Sequence, residues 1–363
     1  MKNIKSFFCT VFVLTLVTAS SLQAQEPDIF FCVRPKACLE TAFVKKVTAL
    51  PEWEPFWTLF CDAGNKGIRK ELNDRQQLEK VLPPKAIDMV ARTLAIHDFS
   101  FRTVVENIVE HLEAVILMAD INDARKVDGV LALIADVDPS IGLVLLPLLN
   151  DFTEKIDYTI LKRGTNGDFI VKFFFRLPQQ NLDIEFCCAG LKLPGQANRY
   201  ALLFSNEKHI QKYFDAFKEG RTGEQYAAGY AHKITVRESA FHAIAGLDRP
   251  APWAALSAEI LDKIKGVEFG VGDKEGITQV ELRFSLRQPE DAQTIRDMFA
   301  GAIALAQLSA HFSPETTSLL QTINIESNGN DVVAMIKLDH PELWKKTSSV
   351  LNKASDGIRK KHE

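Results

Sequence analysis

The chain of 363 residues is long enough for two ordinary domains with sizeable cores. Hydrophobic residues at 46% and charged residues at 25% exclude an intrinsically disordered chain. A formal net charge of −4 leaves no global basic field of the kind that draws nucleic acid.

The N-terminus, MKNIKSFFCTVFVLTLVTASSLQAQ, has the three parts of an export signal over residues 1–24. Lys2 and Lys5 precede an apolar run from Phe7 to Val17, and small residues follow it. That run is too short to span a bilayer as a helix. Cleavage before Gln25 or Ser20 is expected, the alternative being an uncleaved anchor. Cys9 lacks the small-residue box of a lipoprotein. No later segment offers about 18 uninterrupted apolar residues, so no transmembrane segment is expected in the mature chain. The expected location is the periplasm or the medium.

Five cysteines would remain after cleavage: Cys32, Cys38, Cys61, Cys187 and Cys188. An odd number in an oxidising compartment implies a free thiol or an intermolecular bridge. The absence of C-x-x-C excludes a thioredoxin-like pair and a zinc knuckle. Cys187 and Cys188 adjoin in a strand-like run, DIEFCC, where they read as small buried hydrophobes on opposite faces.

The first strand of the chain is IFFCVRP at 29–35, ending on Arg34, a residue suited to an anion or a surface carboxylate. A mostly helical stretch follows over about 36–112. Within it, LPEWEPFWTLF places Trp53, Phe56, Trp57 and Phe60 at i, i+3, i+4 and i+7, on one helical face. Such a face either packs the helical stretch onto a core or forms an aromatic ridge for an apolar ligand or partner. Pro51 and Pro55 bracket the helix start, so Trp53 and Trp57 are expected near the surface and Phe56 and Phe60 inside. Trp53 and Trp57 are thus the candidate ligand or partner contacts. His97, Asp98 and Ser100 hold the letters of a hydrolase triad, but a triad is assembled in space from separate elements. Glu106, Glu110 and Glu113 read as a solvated acidic stripe, because the Glu-x-x-His spacing of carboxylate metal helices is missing.

Two strands with Val130, Ala132 and Ile134 on one side lead to Pro139 and the apolar segment LVLLPLL at 143–149. The hairpin YTILKRGTNGDFIVKFFF spans 158–175, its turn rich in Asn and Gly. Two further strands, DIEFCCAGLKLP and RYALLFS, precede the helix NEKHIQKYFDAFK, which Asn206 can cap. The polar stretch KEGRTGEQYAAG at 218–229 reads as a linker. The second half opens with SAFHAIAGL at 239–247 as its first strand and a short helix after APWAAL. GVGDKEG resembles a phosphate loop in letters, but it joins two strands and has the wrong spacing, so it is hairpin chemistry. Val280, Leu282, Phe284 and Leu286 then alternate with polar residues, as an antiparallel strand with one wet face requires. Pro289 starts a helix, and TINIESNGNDVVAMIKL closes the half as a hairpin.

The two halves follow one order, which implies a duplicated unit. Val130, Ala132 and Ile134 match Val280, Leu282 and Phe284, Pro139 matches Pro289, and the hairpin at 158–175 matches the one at 322–338. The expected class is α+β, with antiparallel meander strands and helices packed on one face. The units are 25–217, carrying the helical insert, and 230–363, joined by 218–229. The second half, from SAFHAIAGL through VELRFSLRQPEDAQTIRDMF to TINIESNGNDVVAMIKL, resembles a loose class of exported bacterial proteins of unknown function. These are built from duplicated α+β units, and the resemblance implies an exported, duplicated, non-enzymatic protein.

No H-E-x-x-H, P-loop, EF-hand loop or G-x-S-x-G elbow occurs. No catalytic residue, metal ligand or cofactor is therefore assigned. The expected function is an exported binding or interaction protein of the bacterial cell envelope. The alternatives are a carrier of an apolar ligand such as a lipid, which the surplus apolar length of LVLLPLL and FIVKFFF favours, and an enzyme of unidentified type.

Overall fold

The computed structural model describes residues 27–73, 100–121, 127–140, 156–164, 166–177, 182–195, 198–240, 262–308, 317 and 320–362. The export signal, His97 and Asp98, LVLLPLL, APWAAL and most of SAFHAIAGL lie outside them. The chain order begins β1 (Ile29–Val33), α1 (Pro35–Glu40), α2 (Ala42–Thr48), α3 (Trp53–Asn73), α4 (Phe101–His111), β2 (Leu112–Ile121), β3 (Val127–Ala135). It continues β4 (Ile156–Arg163), β5 (Phe169–Leu177), β6 (Leu182–Lys192), β7 (Tyr200–Ser205), α5 (Glu207–Lys218). The second half holds β8 (His232–Arg237), β9 (Ile264–Lys274), β10 (Ile277–Leu286), α6 (Pro289–Leu308), β11 (Asn324–Asn328), β12 (Asp331–Lys337) and α7 (Pro341–His362). Among the described residues no helix is long and apolar enough to cross a membrane.

The protein is α+β, and its described strands form one antiparallel sheet of 12 strands. The order is β11-β12-β10-β9-β8-β1-β2-β3-β7-β6-β5-β4. The seam between the halves is the pair β1 and β8, in register from Ile29↔Val236 to Val33↔His232. The first described strand of the second half is therefore HKITVR, and of SAFHAIAGL only Ser239 and Ala240 are described, as helix. In HKITVR Ile234 and Val236 alternate with Lys233, Thr235 and Arg237, but the run is only six residues long.

Outward from the seam, β1 is followed by β2, β3, β7 and β6, and β8 by β9, β10, β12 and β11. The strands β7 and β6 thus hold the place that β12 and β11 hold on the other side. The hairpin at 158–175 is β4 and β5, at the far edge, and is not the positional counterpart of the hairpin at 322–338. Val130 and Val280 both stand in the second strand of their hairpins, but cross-strand register puts them on opposite faces of the sheet.

That register also corrects the expectation of helices on one face. Phe30, Ile116, Val130, Ala132, Leu203, Cys187 and Ala189 share one face and are buried under α5 through Ile210, Phe214 and Phe217. Val236, Val267, Phe284 and Val332 share the opposite face and are buried under α6 through Ala292 and Ile295. Among the described residues α5 thus lies on one side of the sheet in the first half and α6 on the other side in the second. A third cluster, with Phe169, Val171 and Cys188 and the half-buried Tyr158, Phe173, Phe186, Leu202 and Phe204, lies on the face of β4–β7 away from α5. This second apolar face explains why FIVKFFF is almost continuously hydrophobic.

The stretch 218–229 contains a 3-10 turn at Glu224–Ala227, and Thr222 and Ala227 are buried. Gly223 has φ 83°, and a Cβ there would come within 2.7 Å of the Met118 sulfur. Only glycine suits both conditions.

Candidate functional site

The aromatic face of α3 is built at the helix start. The Trp53 amide donates to the Leu50 carbonyl at 3.0 Å, and the Phe56 amide to the Glu52 carbonyl at 3.2 Å. Pro55 falls in the first turn, where its missing N–H costs no helical bond. The spacing then stacks the rings into a ladder. Trp53 and Trp57 lie 5.8 Å apart with planes 8° from parallel, Trp57 and Phe60 5.6 Å apart at 19°, and Phe56 and Phe60 6.0 Å apart at 26°. Phe101, at the start of α4, meets Phe60 edge-on at 5.8 Å. Gly64 makes room for it, since a Cβ there would stand 2.8 Å from the Phe101 ring.

All four residues of the face are thus brought together. Trp53, Phe56 and Trp57 are half-buried, while Phe60 is 41% exposed. The expectation that Phe60 points inward is reversed, because the inner position beneath this turn is taken by Cys61, at 3%. None of the four rings belongs to the three buried clusters formed by the described residues.

The C-terminal helix α7 packs along α3. The Ser348 hydroxyl donates to Glu52 at 2.5 Å, and Trp344 lies 5.3 Å from Phe43 with the Lys46 ammonium over its ring. At the outer rim, Arg102 bridges Glu54 at 3.0 Å and Glu106 at 2.9 Å. Two acidic residues beside the ladder are thereby paired, and Glu106 is no free member of an acidic stripe.

Arg34 serves the seam. Its guanidinium donates to the carbonyls of Tyr230 at 3.4 Å and Glu224 at 3.1 Å. It borders an open cleft of about 400 Å³ with Thr41, Lys45, Tyr230 and Asp273. Asp273 is occupied there by the Ala42 amide at 2.9 Å and the Thr278 hydroxyl at 2.6 Å.

All five cysteines described are free thiols. Burial pushes Cys32 up to about 11 and both Cys187 and Cys188 up to about 12, so these thiols are poor nucleophiles. Among the described residues no group of three or more His, Cys, Asp or Glu is arranged to hold a metal ion. One further cluster was not legible from the residues alone: the buried polar set under α5 where the end of β2 faces the start of β3. Asp128 stands at 1% exposure and His209 at 4%, where single polar letters read as turn and helix-surface residues.

No family model matches the chain, and no curated protein matches it. Among solved structures it is similar to TP0453 in three crystal forms. Form IV has a TM-score of 0.36 at 8% identity, covering 90% of this chain and 93% of that one. Form III has 0.38 at 9%, covering 91% and 100%, and form I has 0.37 at 8%, covering 92% and 99%. At these values the likeness assigns no function.

Proposed function

We propose that the protein is an exported, non-enzymatic binding or interaction protein of the bacterial cell envelope, with the aromatic ladder of α3 as its contact surface. One observation carries this reading: four large rings stack on one another along a helix without joining any buried cluster of the described residues. Rings that only filled a core would be enclosed by it. Rigid aromatic surface of this kind provides contact area at little cost in side-chain freedom. Trp53 and Trp57 are the residues expected to touch the partner.

The same reading takes the chain as two related units, 25–217 and 230–363, with 36–112 as a helical insert in the first and 218–229 between them. The repeated strand order on either side of the β1–β8 seam supports it. Export rests on the N-terminal pattern of residues 1–24.

A second reading, a carrier of an apolar ligand, is favoured by the half-buried rings of Tyr158, Phe173, Phe186 and Phe204 on the face away from α5. Native mass spectrometry of protein purified from its own host separates the two: a bound small mass supports the carrier, and a protein partner supports the contact surface. In either case Trp57→Ala is expected to cost only about 1 kcal/mol of stability, as for a half-exposed side chain. If the ladder is the contact, Trp53→Ala/Trp57→Ala also removes the bound species. A loss of roughly 3–5 kcal/mol for Trp57→Ala would make the ladder a core element and sink the proposal.

A further inference from the structure

Asp120 and Asp128 are directly opposed on β2 and β3, on the face that α5 covers. Above them α5 brings His209 and Lys212, one turn apart. Asp128 is 1% exposed and His209 4%, and the His209 Nε2 lies 3.9 Å from Asp128 Oδ1. Neither Asp128 oxygen, nor His209 Nε2, nor Lys212 Nζ has a hydrogen-bond partner among the described residues. Buried polar atoms left this way are costly, and an ionised pair is the costliest form they can take.

We propose that Asp128 and His209 form a proton-exchange couple: docking α5 on the sheet moves one proton from the imidazolium to the carboxylate. The N–H bond at Nε2 breaks, the proton goes to Asp128 Oδ1, and no proton is taken up or released overall. Between about pH 4 and pH 6, where this exchange holds, the docked pair is neutral. With the remaining ring proton on Nδ1, a shift of about 1 Å brings the new Oδ1–H into hydrogen-bond range of Nε2.

The surroundings favour this direction. Burial raises Asp128 to about 6 against an opposing pull from Lys212, with a smaller upward push from Asp120. Burial also lowers His209 to about 4, helped by Lys208 and Lys212. The Tyr213 side chain from α5 and Asp28 beside Asp120 complete the titratable neighbours among the described residues. The signs oppose each other. The raised Asp128 contributes stability that is full below about 3.8 and is lost as pH rises through about 6. The depressed His209 contributes stability present above about 6.5 and lost as pH falls through about 4. The two windows nearly coincide, so the wild-type couple keeps α5 docking almost independent of pH.

Amide hydrogen exchange of residues 207–218, as protection factors at pH 5 and pH 7, tests this. In the wild type the two values are expected to agree within about threefold. His209→Gln leaves the Asp128 contribution alone, so protection becomes about tenfold higher at pH 5 than at pH 7. Asp128→Asn leaves His209 alone, so protection becomes about twentyfold lower at pH 5 than at pH 7. Variants whose pH ratio equals the wild type's would overturn the couple. If a variant does not fold, carbon NMR titration of the wild type decides: Asp128 must titrate above His209, and the reverse order refutes the proposal.

Discussion

Phe214→Ala is expected to cost about 3–5 kcal/mol, because a fully enclosed aromatic ring is replaced by a cavity that rigid strands cannot collapse to fill. Phe214 has 0% exposure and sits in the middle of α5, between Ile210 and Phe217, which are also enclosed. The ammonium groups of Lys162 and Lys218 lie 4.6 and 5.7 Å from its ring, so part of the loss is electrostatic attraction to the ring face. Urea unfolding of the two proteins measures the difference, read against Trp57→Ala in the same experiment. A loss below about 1 kcal/mol for Phe214→Ala would mean that α5 is not what holds the first half of the sheet closed.

Arg199→Met is expected to cost about 2–4 kcal/mol, since charged hydrogen bonds are lost and two carboxylates are left facing each other without their cation. Arg199 donates from Nε to Glu113 and from Nη2 to Glu224, each at 2.5 Å, and its side chain is only 17% exposed. Glu224 also accepts from the Thr222 hydroxyl at 2.9 Å, so one guanidinium ties the starts of β2 and β7 to the 3-10 turn. Methionine keeps most of the stem's packing and removes the charge. Adding Glu224→Gln to Arg199→Met should recover part of the loss, as thermal melts of both variants would register. No recovery would mean that packing, not charge, is what Arg199 provides.

Local chemistry was readable from the residues alone. Glu275 and Gly276 turn with φ of 54° and 77°, so GVGDKEG is a hairpin, and Gly329 and Gly167 turn the other two hairpins at 58° and 84°. Asn206 caps α5, its side chain accepting from the His209 amide at 3.1 Å. The aromatic spacing of α3 produced its ladder. Long-range choices were not readable. Alternation in β10 says that one side is apolar, but not from which side a helix arrives, so it was hidden that α5 and α6 lie on opposite sides. The hairpins β4–β5 and β6–β7 are both apolar, and nothing local says that β7, not β5, pairs with β3. Asp128 precedes the run GVLALIA, where a polar residue looks like the end of a turn. Only the register opposite Asp120 shows two carboxylates side by side under a helix.

The seam has a consequence in time. Phe30 pairs with Thr235, and the residues between them must be made before β1 can gain its second neighbour. At about 5–20 residues per second of synthesis, that interval of roughly 200 residues lasts on the order of 10–40 s. Until then the edge formed by Ile29–Val33, almost wholly apolar, stands open beside β2. Such an edge is a template for foreign strands. The newborn chain therefore has its greatest need of a chaperone early, while β1 is waiting, and that need ends when HKITVR arrives to close the sheet.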